Sequence, residues 1–216
     1  MTTQESKRKL AAILSADVKG YSRLMSQDEE GTVKTLKQHR VTISGLVGEH
    51  RGGVVDSPGD NILAEFGSVV DAVKCAVKIQ ETLKEKNAEL PENRRMDFRI
   101  GVNLGDVIEE EERIYGDGVN IAARLEGLAE AGSVCISGTA FDHVSNRVSV
   151  GYQYLGKQTV KNIPDPVRAY KVLMEAGSAY QGPLLIRSRI SYQWATSSWE
   201  KRLLRTSPIP FEHTRY

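Results

Sequence analysis

Asp17, Asp60, Asn120 and Arg124 stand out because their types and settings suit chemistry on phosphate groups. Asp17 lies at the end of an almost continuously apolar run, Leu10 to Val18, and Lys19-Gly20-Tyr21-Ser22 follows it. A carboxylate at a strand end, beside a glycine turn into a helix, suits a divalent cation and a phosphate together. The carboxylate is a hard oxygen ligand, and the exposed N–H groups of Gly20, Tyr21 and Ser22 can receive phosphate oxygens. The plain alternative is that Asp17 is a cap. Asp60 ends Ser57-Pro58-Gly59-Asp60, and Asp is also an ordinary turn residue. If the Leu10–Asp17 strand pairs with the hairpin that holds this turn, the two carboxylates converge. Two hard ligands with open positions suit Mg²⁺ shared with the phosphates of a nucleotide. Asn120 and Arg124 are spaced i, i+4 and so share one helix face. Their neighbours Val119, Ile121, Ala122, Ala123 and Leu125 are apolar or small. An arginine in that setting is either a snorkelling surface residue or a positioned anion ligand, and spacing leaves both open.

The elements that must position these groups follow from hydrophobic period and punctuation. Leu10–Val18 predicts a buried strand, and Asp28 to His50 a helix, stopped by Gly52-Gly53. Val54-Val55 and Ile62–Phe66 predict a hairpin, with Pro58 and Gly59 at the centre of a type II turn. Ser68 caps a second helix that runs to about Glu89, before Pro91. Met96–Val102 predicts a strand. Val107-Ile108 and Ile114-Tyr115 predict a second hairpin, whose acidic tip is Glu109 to Glu112. Gly116 to Ala131 predicts a helix, Ser133–Ser137 a strand, Thr139–Val144 a short helix, and Val150–Leu155 and Val167–Val172 two late strands. This is α/β (α+β) without strict βαβ alternation. It predicts a ferredoxin-like mixed or antiparallel sheet flanked by helices.

Composition narrows the classes. The chain has 216 residues, with Lys plus Arg 29 and Asp plus Glu 28, for a net charge of +1. That balance argues against a dedicated nucleic-acid binder. Cys75 and Cys135 lie far apart, with no CxxC, and predict reduced thiols in a cytoplasmic protein. The apolar run Leu10–Ala16 is too short, and ends at Asp17, for a signal peptide. No stretch approaches the roughly 18 apolar residues of a membrane span. Residues 1–9 read as an N-terminal extension, 10–175 as the domain that holds the candidate groups, and 176–216, which hold both tryptophans, as a tail or linker. No G-x-x-x-x-G-K-[ST] occurs, which excludes a P-loop.

Four segments together resemble the class III nucleotidyl cyclases, the adenylate and guanylate cyclases. They are Leu14-Ser-Ala-Asp-Val-Lys-Gly-Tyr-Ser22, Gly59-Asp60-Asn-Ile-Leu-Ala-Glu-Phe66, Arg99-Ile-Gly-Val-Asn-Leu-Gly-Asp-Val-Ile108 and Gly116-Asp-Gly-Val-Asn-Ile-Ala-Ala-Arg124. The first departs from the family pattern in carrying Ser15 where Phe is usual. The resemblance covers about residues 10 to 173, in order and with family-like spacing.

The resemblance implies roles. Asp17 and Asp60 become the aspartates that hold two Mg²⁺ or Mn²⁺ ions per site. Asn120 orients the ribose, Arg124 meets charge on the reacting α-phosphate, and Lys161 meets the terminal phosphates. The site is shared across a homodimer. ATP or GTP is cyclised to the 3′,5′-cyclic nucleotide and pyrophosphate for signalling. The base-reading positions depart from the adenylate-cyclase Lys/Asp pair: here they are Asp56, four residues before Asp60, and Arg113. A carboxylate can accept from guanine N1–H and its 2-amino group, and Arg can donate to O6. The same two residues can instead pair with each other. That departure leaves a second expectation open, a catalytically silent cyclase homology domain that binds nucleotide and dimerises. None of His39, His50, His143 and His213 falls in a motif, so no histidine stands out as a general base.

Overall fold

The computed structural model describes residues 7–110, 113–160, 163 and 165–174. In chain order the elements are β1 (Lys7–Val18), α1 (Tyr21–Gln27), α2 (Glu29–Glu49), β2 (Gly52–Asp56), β3 (Ile62–Phe66), α3 (Val69–Ala88), β4 (Phe98–Glu110), β5 (Arg113–Tyr115), α4 (Asp117–Leu128), β6 (Val134–Ser137), α5 (Gly138–Val144), β7 (Gly151–Gln158) and β8 (Val167–Leu173). A short 3₁₀ turn, Glu92–Arg94, precedes β4.

One sheet of eight strands runs β2-β3-β1-β4-β6-β8-β7, with β5 paired to the far end of β4. It is mixed, as expected: β4 and β6 are parallel and the other pairings antiparallel. Side chains alternate across the sheet, so each strand serves two layers. Ala12, Leu14, Ala16 and Val18 of β1 point to the larger core, with Ile43 and Val47 of α2, Ile79 and Leu83 of α3, and Ala140 and Val144 of α5. Ala11 and Ile13 point the other way, into a smaller cluster with Ala122 of α4, Val107 and Ile114. Helices therefore flank both faces, and α4 lies on the opposite face from α2, α3 and α5.

Local expectations differ from the structure in instructive ways. Strand β1 begins at Lys7, because Lys9 is held by Glu65 of β3 at 3.0 Å and Glu109 of β4 at 2.9 Å. Helix α2 ends at Glu49, and Arg51 takes the left-handed turn at φ 62, so Gly52 and Gly53 open β2 instead of stopping the helix. The hairpin turn sits one residue later than a Pro58-Gly59 type II turn. Asn61 N–H donates to the Pro58 carbonyl at 3.0 Å, and Gly59, at φ 59, is the first central residue. Strand β4 is one continuous strand through Gly101 and Gly105, not two pieces. Helix α4 stops at Leu128, before Ala131. Glu111 and Glu112 of the predicted acidic tip, Lys161, and the expected tail lie outside the described residues.

Candidate active site

The register of β1 on β3 decides the central question. Ser15 faces Leu63 and Ala16 faces Ile62, where the pairing of β1 with β3 ends, so Asp17 is the next residue along β1, beside the hairpin turn that delivers Asp60. Asp17 and Asp60 are near neighbours: burial first, and then the charge of Asp17, push Asp60 above the usual carboxylate range. Neighbouring carboxylates are a local excess of negative charge that a divalent cation relieves. The donor set therefore fits a hard cation. Among the described residues no group of three or more His, Cys, Asp or Glu forms a metal cage. The remaining positions are left to water and to phosphate oxygens, the usual arrangement for Mg²⁺.

Three residues without an assigned role hold this pair. Arg40, on α2, donates through Nη2 to the carbonyls of Ser57, at 2.9 Å, and of Gly59. It thus fastens the turn that carries Asp60, and its charge partly offsets the rise in the Asp60 pKa. Arg99, which faces Asp17 across β1 and β4, donates to Asp17 Oδ2 at 2.5 Å. The same Nη2 lies 2.9 Å from Oε1 of Glu126. Glu126 is 6% exposed under α4. Burial pushes it to about 7, against the opposing pull of Arg99. A signal for Glu126 exists in the sequence: with Gly118, Ala122 and Leu125 it completes the buried stripe of α4, where a carboxylate is out of place. Arg99 and Arg40 carry a weaker signal, since an arginine on a strand or helix is usually solvated.

Gly20 adopts φ 74 and starts α1, with Tyr21 and Ser22 as its first residues. The first N–H groups of a helix have no partner within it, so those of Tyr21 and Ser22 are placed close to Asp17 in sequence and free of intrahelical bonds. Asn120 and Arg124 are both exposed on α4, on its side away from the sheet. Among the described residues neither makes a side-chain hydrogen bond or ion pair. The structure thus joins Asp17 to Asp60, and leaves Asn120 and Arg124 turned outward. Asp56 ends β2, where its carboxylate accepts from Ser57 N–H at 2.8 Å. Arg113 opens β5 and is exposed. Strands β2 and β5 lie near one another, yet among the described residues no ion pair joins Asp56 to Arg113.

Comparison with known proteins gives a consistent result. Residues 3–174 match the family model described as the adenylate and guanylate cyclase catalytic domain. A relative described as putative adenylate cyclase 3 of Rhizobium meliloti is 44% identical over 171 residues, which is 79% of this chain and 29% of that protein. The chain thus spans less than a third of that relative. A crystal structure described as an adenylate/guanylate cyclase/hydrolase from Silicibacter pomeroyi superposes with a TM-score of 0.74 at 38% identity, covering 78% of this chain and 99% of that one. The crystal structure of the guanylyl cyclase Cya2 superposes with a TM-score of 0.67 at 27% identity, covering 82% and 97%.

Proposed function

The chain belongs to the adenylate and guanylate cyclase catalytic domain family, and from that premise we propose that it cyclises ATP or GTP to the 3′,5′-cyclic nucleotide as a homodimer. The observation that carries this reading is the placement of Asp17 beside Asp60 at the end of the β1–β3 pairing, on a sheet whose α4 turns Asn120 and Arg124 outward. The outward pair calls for a partner surface. Two copies related by a twofold axis give two equivalent sites, each with Asp17 and Asp60 from one copy and Asn120 and Arg124 from the other.

In the reaction the ribose 3′-oxygen attacks the α-phosphorus in line. The bond from that phosphorus to the bridging oxygen of pyrophosphate breaks, and the 3′-hydroxyl loses its proton. Asp17 and Asp60 would hold Mg²⁺ or Mn²⁺, two per site, and bound ions supply charge neutralisation at the phosphates and a more acidic 3′-hydroxyl. Asn120 orients the ribose, so that the attacking oxygen is near the line of the breaking bond. Arg124 places fixed positive charge where negative charge grows on the α-phosphate oxygens. The N–H groups of Gly20, Tyr21 and Ser22, with Lys161, receive the outer phosphates. Asp56 and Arg113 face the base. Asp56 accepts from guanine N1–H and its 2-amino group while Arg113 donates to O6. Among the described residues no ion pair joins the two within one chain, so neither is taken up by the other, and it is their acceptor and donor pattern that suits guanine. Cys75 and Cys135 are free and buried, which supports a reducing, cytoplasmic setting. No described helix is long and apolar enough to cross a membrane.

The test is direct. The purified chain is incubated with Mn²⁺ and either ATP or GTP, and the products are identified by mass spectrometry. Cyclic nucleotide and pyrophosphate in equal amounts are expected; neither nucleotide giving a cyclic product overturns the reading.

A further inference from the structure

The Asp17–Arg99–Glu126 chain has an unbalanced geometry. Arg99 Nη2 donates to Asp17 at 2.5 Å. Glu126 Oε1 stands 2.9 Å from the same nitrogen, but out of line, so this buried oxygen has no hydrogen-bond donor among the described residues. Arg99 Nε is likewise buried with no acceptor. A donor and an acceptor thus stand unsatisfied on the two sides of one close contact. Unmade buried hydrogen bonds are costly, and a small turn of the guanidinium towards Glu126 would satisfy both atoms. Such a turn is made at the expense of the bond to Asp17.

We infer that Arg99 is a positioning residue that gives up Asp17 for Glu126 when a divalent cation takes Asp17, and so ties metal occupancy to the seating of helix α4. The inference rests on the assignment of Asp17 and Asp60 to the metal. Its consequence lies in α4. Glu126 is two residues after Arg124 and six after Asn120, on the same helix. The backbone of α4 is seated on β4 at this level, close against Gly101. Tightening the Arg99–Glu126 bond therefore stiffens the helix that presents Asn120 and Arg124. In a twofold dimer that helix serves the other site, so filling the metal position of one site prepares the second.

The signature is a pair of opposite effects from two residues that do not touch the metal. Mn²⁺ binding is measured without nucleotide at pH 8, from the free-ion signal in electron paramagnetic resonance. Arg99→Gln removes the competing cation from Asp17 and tightens Mn²⁺ about tenfold. Glu126→Gln removes the acceptor that receives Arg99 and weakens Mn²⁺, by several-fold. In the double variant the effect of Glu126→Gln shrinks, because Arg99 is no longer there to be received. Hydrogen exchange over residues 117–128 slows on Mn²⁺ addition in the natural protein and not in Glu126→Gln. Thermal melts of each variant establish that it is folded, and the isosteric Glu126→Gln keeps the test open if Arg99→Gln does not fold. Two results overturn the inference alone: Glu126→Gln failing to weaken Mn²⁺ while Asp17→Asn does, or an effect of Glu126→Gln that is equal with and without Arg99. If Asp17→Asn binds Mn²⁺ as well as the natural protein, the metal assignment fails and this inference with it.

Discussion

Gly101 of β4 sits directly beneath the Ala122 carbonyl of α4. A Cβ at Gly101 would stand 2.1 Å from that oxygen and 2.3 Å from the Glu126 nitrogen. Both obstacles are backbone, so no side-chain rotation relieves the clash, and α4 must lift. Gly101→Ala is therefore expected to destabilise the fold by about 1–3 kcal/mol, the range for overpacking. In a thermal melt this is a fall in Tm of several degrees. Activity should fall further than stability accounts for, since Asn120 and Arg124 move with the helix. An unchanged Tm would show that α4 is not seated on Gly101.

Arg40 is the tie between α2 and the turn that carries Asp60. Arg40→Met keeps the apolar stem and removes two charged hydrogen bonds. Hydrogen bonds to charged groups are worth roughly 1.5–3 kcal/mol. The same change removes a cation that favours ionised Asp60. Asp60 must be ionised to hold a metal, and its pKa, already raised, would rise further. The acid limb of the pH–rate profile should then move to higher pH, with kcat lowered and Arg40→Lys recovering part of the loss. A profile with an unmoved acid limb would leave Arg40 a purely structural tie.

The difference between what the sequence revealed and what it hid has a physical pattern. The places of Asp17 and Asp60 were legible because an apolar run sets the first near the end of a strand and a Pro-Gly turn signal sets the second in a hairpin turn. Asn120 and Arg124 were legible as a pair because helical spacing sets one face. The full path of β4 was not: Met96–Val102 and Val107-Ile108 read as separate strands, with Gly105 between them, yet the two glycines of this strand make room for close neighbours, α4 backbone at Gly101, and Gly118 and the Asn103 amide at Gly105. Lys7 to Lys9 read as part of an N-terminal extension because the acids that hold Lys9, Glu65 and Glu109, are 56 and 100 residues away. Arg40 and Arg99 were hidden for the same reason. Their partners are the backbone of a distant turn and a carboxylate on a neighbouring strand, and local patterning carries no trace of either.

Asp17→Ala or Asp60→Ala should remove metal-dependent turnover and leave the melt close to that of the natural protein. Neither side chain belongs to the apolar clusters, and each variant relieves the repulsion between the two carboxylates. Loss of one hard ligand removes transition-state stabilisation of several kcal/mol, so activity should drop to near background with Mg²⁺. Near-normal rates in either variant would sink the metal assignment.

A shared site makes a prediction about mixtures. Homodimers of Asp17→Ala, and of Arg124→Ala, each have both sites broken. A mixed dimer collects both defects in one site and leaves the other whole. With free exchange and independent sites, an equal mixture should recover activity to about one quarter of the natural level, since half the dimers are mixed and each has one working site. Exchange is checked separately with differently tagged subunits. No recovery despite exchange would place the whole site within one chain.

The base preference should reside in Asp56 and Arg113. The double change Asp56→Lys with Arg113→Asp should move it towards ATP, because donors and acceptors are exchanged. A lysine at 56 donates to adenine N1, and an aspartate at 113 accepts from the 6-amino group. A site built for one hydrogen-bonding pattern rejects the other because its own polar groups are left unpaired, by on the order of 10⁴-fold in favourable cases. Each single change should be worse than the double, since it leaves two like charges facing one base. The measurement is the ratio of kcat/KM for ATP and GTP in all four proteins. Arg113 is exposed and Asp56 half-buried, so a thermal melt of each variant separates a folding defect from a change in recognition. If the double variant keeps the ratio of the natural protein, these two residues do not read the base, and their reversed charges serve something other than the nucleotide.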